Sequence, residues 1–282
     1  MASSTRAQHP IHRTRLLASA LLGAVLLCAC AAPPGSDEPA QDTDQAADDQ
    51  APPIVGSEWA QHNLIDGLAS PPGPWIHLRY GNRKPTRYTP QTHQGRPAVL
   101  AQAQASNSTL RLRLDNAALR GTEHLSFSWF VPALNERADL RDDDADDAVV
   151  RVVLSFDGDR TRLSSRDHVL SELAALITGE PLPFATLMYV WDNRYPVGSV
   201  IPNPHTERIR QLVVESGPGR LNQWVNHERD IEADFRLAFG EAPVRLTGVG
   251  LMSDSNNTGE SVSAWFGPLT LTRTARSAPP PY

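Results

Sequence analysis

Leu110-Arg111-Leu112-Arg113-Leu114 alternates without a break, with an apolar side chain at every second place and a cationic one between. Successive side chains of a strand point to opposite faces, so this run gives one apolar face and one charged face. A helix would scatter the same leucines around its circumference. The period returns in His124-Leu125-Ser126-Phe127-Ser128-Trp129-Phe130 and holds until the last residue. Residues 149–156 form a β-branched run, and 187–191, 209–215, 246–252 and 261–271 read as further strands between Gly, Pro, Asn and Asp clusters. Two segments keep a helical period instead. One is 168–177, apolar at Val169, Leu170, Leu173, Ala174, Leu176 and Ile177, with Asp167 as N-cap and Gly179 as stop. The other is 231–239, with Asp230 as cap and Gly240 at its end. Many strands and two short helices predict a mainly β protein, an antiparallel β-sandwich whose core holds Phe127, Trp129, Val152 and Leu251. An antiparallel barrel is the second architecture.

Outward from this body, the N-terminus reads as an address. Arg6, Arg13 and Arg15 precede an apolar run over 16–27, about 12 residues against the ~20 a membrane-spanning helix needs. The run closes on Leu27-Cys28-Ala29-Cys30, which resembles a bacterial lipobox with Cys30 as the lipidated residue. Residues 1–29 are then a lipoprotein signal peptide. Residues 30–53 are the acylated cysteine and a disordered acidic linker, 54–274 the sandwich domain and 275–282 a disordered tail. Acyl chains contribute ~0.8 kcal/mol per buried methylene, enough for a stable anchor when two are present. Ala31, not an aspartate, follows Cys30. By resemblance to sorted bacterial lipoproteins this implies the outer membrane, facing the periplasm.

Composition excludes several classes. With 26 basic and 32 acidic residues, no stretch is basic enough to neutralise a run of phosphates, so nucleic acid is not a partner. No cysteine follows Cys30, which removes thiol catalysis, Cys-ligated zinc and iron–sulfur clusters from the domain. There is no Gly-x-Ser-x-Gly elbow, no His-Glu-x-x-His and no P-loop.

Three constellations remain. Glu228-Arg229-Asp230-Ile231-Glu232 superficially resembles the Glu-x-Asp-x-Glu run of retaining sandwich glycosidases, which need two carboxylates about 5–5.5 Å apart. On a strand the three acids would share a face. Here Asp230 reads as a helix cap and Glu232 as a first-turn acid, so the segment is not expected to be a strand. No catalytic residue is assigned. Glu228, Asp230 and Glu232 serve the alternative of a cation-dependent glycoside hydrolase or lyase.

Asp142 to Asp147 is an acid-rich stretch, and Asp254-Ser255-Asn256-Asn257-Thr258-Gly259 sets oxygen donors at alternate places. Both suit solvated loops and turns. Both also suit calcium, which takes six to eight oxygens, with Asp142, Asp144, Asp254 and Asn256 as the shared ligands. The aromatic residues Tyr189, Trp191, Tyr195 and Trp224 would cover the apolar face of a sugar, with Asn193, Arg194, His205 and Arg229 as polar contacts. Tyr189 and Trp191 share a strand face, and if that face is inward they are core.

The motif order resembles a bacterial family catalogued as domain of unknown function 3047, over about 75–272. The matching features are Ser128-Trp129, the acid-rich stretch before 149–156, Tyr189-Val190-Trp191, Asn203-Pro204-His205-Thr206, Trp224 with Arg229-Asp230, and 252–258 before an aromatic strand. The resemblance implies a jelly-roll-like sandwich similar to carbohydrate-binding modules, and no activity. The expectation is a non-catalytic envelope module that binds a ligand such as a glycan. The alternatives are the hydrolase or lyase above and a structural protein that docks on another protein.

Overall fold

The computed structural model describes residues 54, 56–65, 75–118 and 123–273. Cys30, the signal peptide, the acidic linker and the tail lie outside them. The strands are β1 (Leu64–Ile65), β2 (Ile76–Arg79), β3 (Arg87–His93), β4 (Arg96–Gln104), β5 (Ser108–Ala118), β6 (Glu123–Phe130), β7 (Arg151–Asp157), β8 (Ala185–Asp192), β9 (Val200–Pro202), β10 (Ile209–Ser216), β11 (Trp224–Asp230), β12 (Arg245–Met252), β13 (Ser261–Phe266) and β14 (Thr270–Arg273). The helices are α1 (Glu58–Gln61), α2 (Ser165–Thr178) and α3 (Ile231–Phe239). None of them is long and apolar enough to cross a membrane.

Two seven-stranded sheets result. The first runs β1-β14-β6-β13-β4-β3, with β11 also paired to β6, and the second runs β2-β5-β12-β7-β8-β10-β9. Pairing is antiparallel except for β1 with β14 and β8 with β10. The alternation decides which face is core. Leu110, Leu112 and Leu114 are buried, and so are Leu125, Phe127 and Trp129 of the opposing sheet. Phe127 stacks on Tyr189 at 5.7 Å, and Trp129 lies 6.3 Å from Trp191. The layers are therefore joined by aromatic side chains, and all four expected core residues are buried.

Helix α3 has the expected bounds: the Asp230 carboxylate accepts the Ala233 amide at 2.9 Å, and Gly240 closes it at φ 72°. It plugs the sandwich with Ile231 and Phe235, the latter 4.6 Å from Phe156.

Three expectations are corrected. Helix α2 starts at Ser165, not 168, because Ser164 is the cap. Its hydroxyl accepts the Asp167 amide and donates to the Asp167 carboxylate, which places Asp167 in the first turn. The helix also sits with its polar side inward. Asp167 and Ser171 are buried against Thr206 and Arg160, while Val169, Leu173, Leu176 and Ile177 face solvent. The run expected over 261–271 is two strands, since Gly267 presses on Ser128, where a Cβ would lie 2.2 Å from the hydroxyl, and Pro268 has no amide to donate. The segment before α3 is a strand after all: β11 pairs with β6 along its whole length.

His227, on the inward side of β11, packs between Phe127 and Trp129 at 5.1 and 5.0 Å. Burial, with Arg220 and Arg229 nearby, pushes its imidazole down to about 4. The folded state thus refuses a proton that the unfolded chain accepts from about pH 6.5. His227 subtracts nothing above pH 6.5, and its penalty grows as pH falls toward 4. Urea titrations should show that the stability lost between pH 7 and 4 is smaller in His227→Gln than in wild type, by about 2–3 kcal/mol. Parallel pH profiles would refute the buried neutral state.

Candidate functional site

The two acidic loops do meet, but around an arginine. Arg151, at the start of β7, is buried. Its Nε donates to Asp254 Oδ1 at 3.0 Å and its Nη2 to Asp254 Oδ2 at 3.1 Å. Nη2 also donates to the Asp146 carboxylate at 3.1 Å and the Asp146 carbonyl at 3.0 Å, and Nη1 donates to Gln211. Asp254 Oδ1 accepts the Ala148 amide as well, and Asp147 accepts the amides of Asn257 and Thr258 and the Thr258 hydroxyl. Burial pushes the Asp254 carboxyl up to about 6, against the pull of the guanidinium.

This overturns the calcium arrangement. Asp142 and Asp144 are exposed, and the Asp142 carboxylate accepts the Asp144 amide. Asp254 is bound to Arg151. Asn256 lines a small cavity of about 190 Å³ that includes Asp143, Asp146 and Arg151. A cation there would face a guanidinium, and among the described residues no group of three or more His, Asp or Glu is placed to hold a metal. The residues do not fit calcium.

The expected ligand contacts do not converge on one surface. Tyr189 and Trp191 are core: the Tyr189 hydroxyl donates to Asp234 at 2.9 Å, and the Trp191 indole donates to the Gly217 carbonyl. Arg229 grips the same Asp234 with Nε at 2.8 Å and Nη2 at 2.5 Å. Asn193 holds the carbonyls of Asn135 and Ala138, Arg194 pairs with Asp139 at 2.8 Å, and His205 pairs with Asp143 at 2.8 Å. Nor do the three acids share a cleft. Glu228 is exposed and 3.9 Å from His124, Asp230 caps α3, and Glu232 pairs with Arg236 one turn on.

Trp224 is the exception, and it has company. Trp224 on β11 and Trp265 on β13 are the register partners of Phe130 from its two sides, so three aromatic rings stand in a row on the outer face of the first sheet. Their centroids lie 5.9 and 5.6 Å from Phe130. His93 stacks flat on Trp265 at 4.0 Å, and Arg96 covers Trp224 at 4.5 Å while its Nη1 donates to Asn226 at 2.9 Å. The indole Nε1 atoms of Trp224 and Trp265 and the Nε2 of His93 are buried and have no hydrogen-bond partner among the described residues. Burial holds the His93 imidazole below its usual range. On the strands around this row Gln91, Gln102 and Asn226 are exposed.

His93, Arg96, Phe130 and Trp265 were not singled out from sequence. The signal was present in two of them. Phe130 breaks the alternation of β6 at its last residue, and Trp265 falls out of phase with Ala264 and Phe266.

The family described as protein of unknown function (DUF3047) matches residues 73–270. The chain belongs to this family. No curated protein matches this DUF3047 member. Among solved structures it is similar to a family 11 carbohydrate-binding module from Clostridium thermocellum in complex with a mixed-linked tetrasaccharide, at 7% identity, over 69% of this chain and 86% of that one, with a TM-score of 0.35. The xyloglucanase domain of NopAA, a type three effector from Sinorhizobium fredii, covers 73% of this chain and 100% of its own at 10% identity and TM-score 0.38. The endo-1,4-β-glucanase CelB2 covers 76% and 96% at 12% identity and TM-score 0.38. Likenesses of that size assign neither ligand nor reaction to the DUF3047 chain.

The Arg151 knot makes its own prediction. Asp254→Ala leaves a buried guanidinium short of its main partner and should cost about 3–5 kcal/mol by denaturant unfolding, whereas Arg151→Met with Asp254→Leu should recover part of that loss. Equal losses in the single and double variants would mean that the charge is not the cause.

Proposed function

We propose that this chain is a non-catalytic binding module that takes a glycan on the outer face of its first sheet, across Trp224, Phe130 and Trp265. We further propose that a lipid on Cys30 anchors it in the bacterial envelope, at the outer membrane and facing the periplasm. The observation that carries the first reading is the aromatic row itself. Sugars present apolar faces rimmed by hydroxyls, and an indole ring covers such a face. Here two half-buried indoles flank Phe130, with exposed amides on the neighbouring strands. The parts of the two indoles that remain exposed beside Arg96 and His93 have no core to fill, so their burial by a ligand is favourable. Glu228, Asp230 and Glu232 have separate structural tasks, which leaves the row without a pair of opposed carboxylates beside it.

Calorimetric titration against peptidoglycan, lipopolysaccharide and neutral polysaccharide fragments tests the site. At least one class should bind, and Trp265→Ala should weaken it by about 2 kcal/mol, roughly thirtyfold. The reading fails if nothing in the panel binds, or if the Trp224→Ala, Trp265→Ala double variant keeps its affinity.

The anchor is tested separately. Cys30→Ala should move the protein from the membrane pellet to the soluble fraction and abolish incorporation of labelled palmitate. An unchanged distribution would remove the lipid.

A further inference from the structure

A groove of about 640 Å³ lies on the outer face of the second sheet, on the side of the sandwich opposite the aromatic row. That volume is within the range of about 300–1,000 Å³ found for small-molecule sites. Four arginines line the groove, Arg111, Arg113, Arg160 and Arg245, against the two acidic residues Asp157 and Glu180. Four minus two leaves a surplus of two positive charges, in a chain whose net charge is −6.

The alternation of β5 puts Arg111 and Arg113 there, because Leu110, Leu112 and Leu114 take the core. Glu180 sits between them: Arg111 Nη2 reaches both of its oxygens at 2.9 Å, and Arg113 donates to one of them. Arg245 pairs with Asp157, and Arg160 donates to the Leu182 carbonyl at 3.0 Å and to the Ser171 hydroxyl at 2.6 Å. The Arg111 Nε is buried and has no acceptor among the described residues. Gly248 forms part of the floor, opposite Arg113 on one side and Ser155 on the other. A Cβ there would lie 3.2 Å from the Leu112 carbonyl, and its absence leaves the floor bare.

These parts match one ligand chemistry. A guanidinium fork pairs with a carboxylate in a bidentate geometry, and several forks around one space attract an anion through shared field. Ser155 and Thr247 line the same groove, the Thr247 hydroxyl donating to the Ser155 carbonyl at 3.1 Å, and Pro181 and Pro183 add apolar edges. Hydroxyl partners, an apolar edge and a carboxylate clamp together describe an acidic sugar. We propose that this groove is a second binding site, one for a saccharide that bears carboxylates. It goes beyond the aromatic row and does not depend on it.

The test uses the purified protein and defined probes. Tetragalacturonate should bind, should weaken as ionic strength rises, and should lose at least about tenfold in affinity in Arg113→Glu. The Arg113 side chain is 55% exposed, so this substitution leaves the core untouched. The salt dependence of the wild type gives the same reading without any variant. Trp265→Ala should bind tetragalacturonate as wild type does, which separates failure of this site from failure of the aromatic row. The proposal is overturned if tetragalacturonate does not bind, or if cellotetraose binds equally well. It is also overturned if inorganic phosphate binds as tightly, which would mark a bare oxyanion site. Retention on phosphatidylglycerol vesicles with no affinity for the tetrasaccharide would assign the groove to a lipid surface instead.

Discussion

The contact on which the rest depends is the aromatic packing between the two sheets, Phe127 on Tyr189 and Trp129 beside Trp191. It fixes the phase of every strand around it. A slip of one residue would carry these rings to solvent and bring Ser126 and Ser128 into the core, so register is strongly specified. Both outer faces inherit that choice. Because Trp129 points inward, Phe130 must point outward, where it meets Trp224 and Trp265. Because Leu110, Leu112 and Leu114 point inward, Arg111 and Arg113 must stand over the opposite surface. The candidate sites are the reverse side of the core pattern.

Sequence reveals phase well and burial of the second face poorly. Strands β5 and β6 were legible because one face is apolar and the other polar. Strand β8 was not decidable in that way, since it is buried on both faces: Leu140, Ile201 and Val213 cover Val190 on its outer side. Whether Tyr189 and Trp191 faced core or ligand therefore could not be read from their spacing. Strands β3 and β4 escaped for the opposite reason. Ala101-Gln102-Ala103-Gln104 alternates, but alanine carries so little hydrophobic contrast that the period is faint. Their Gln94-Gly95 turn, with both residues at positive φ, is a hairpin signal that an Asn-Gly pair would have made plain. Helix α2 has a helical period without the usual meaning, because its buried side is the one carrying Asp167 and Ser171.

The acidic residues show how chemistry inferred from type differs from chemistry inferred from place. A carboxylate is equally a cap, an ion-pair partner, a metal ligand or a catalyst, and spacing along the chain separates these only weakly. Asp230 satisfies helix amides, Asp234 joins Tyr189 to Arg229, and Asp147 closes the 254–258 loop. Each has donors around it that sequence distance conceals. The Arg151–Asp254 contact spans 103 positions and the Asp147–Thr258 contact 111.

That separation has a kinetic meaning. Stripping water from the Arg151 guanidinium is costly until Asp146, Gln211 and Asp254 stand around it together. They come from different strands and loops, and closing chain over such lengths is entropically unfavourable until the sheets are already aligned. By that reasoning the arginine is expected to engage late, as a latch that stays hydrated until β7, β10 and β12 have aligned.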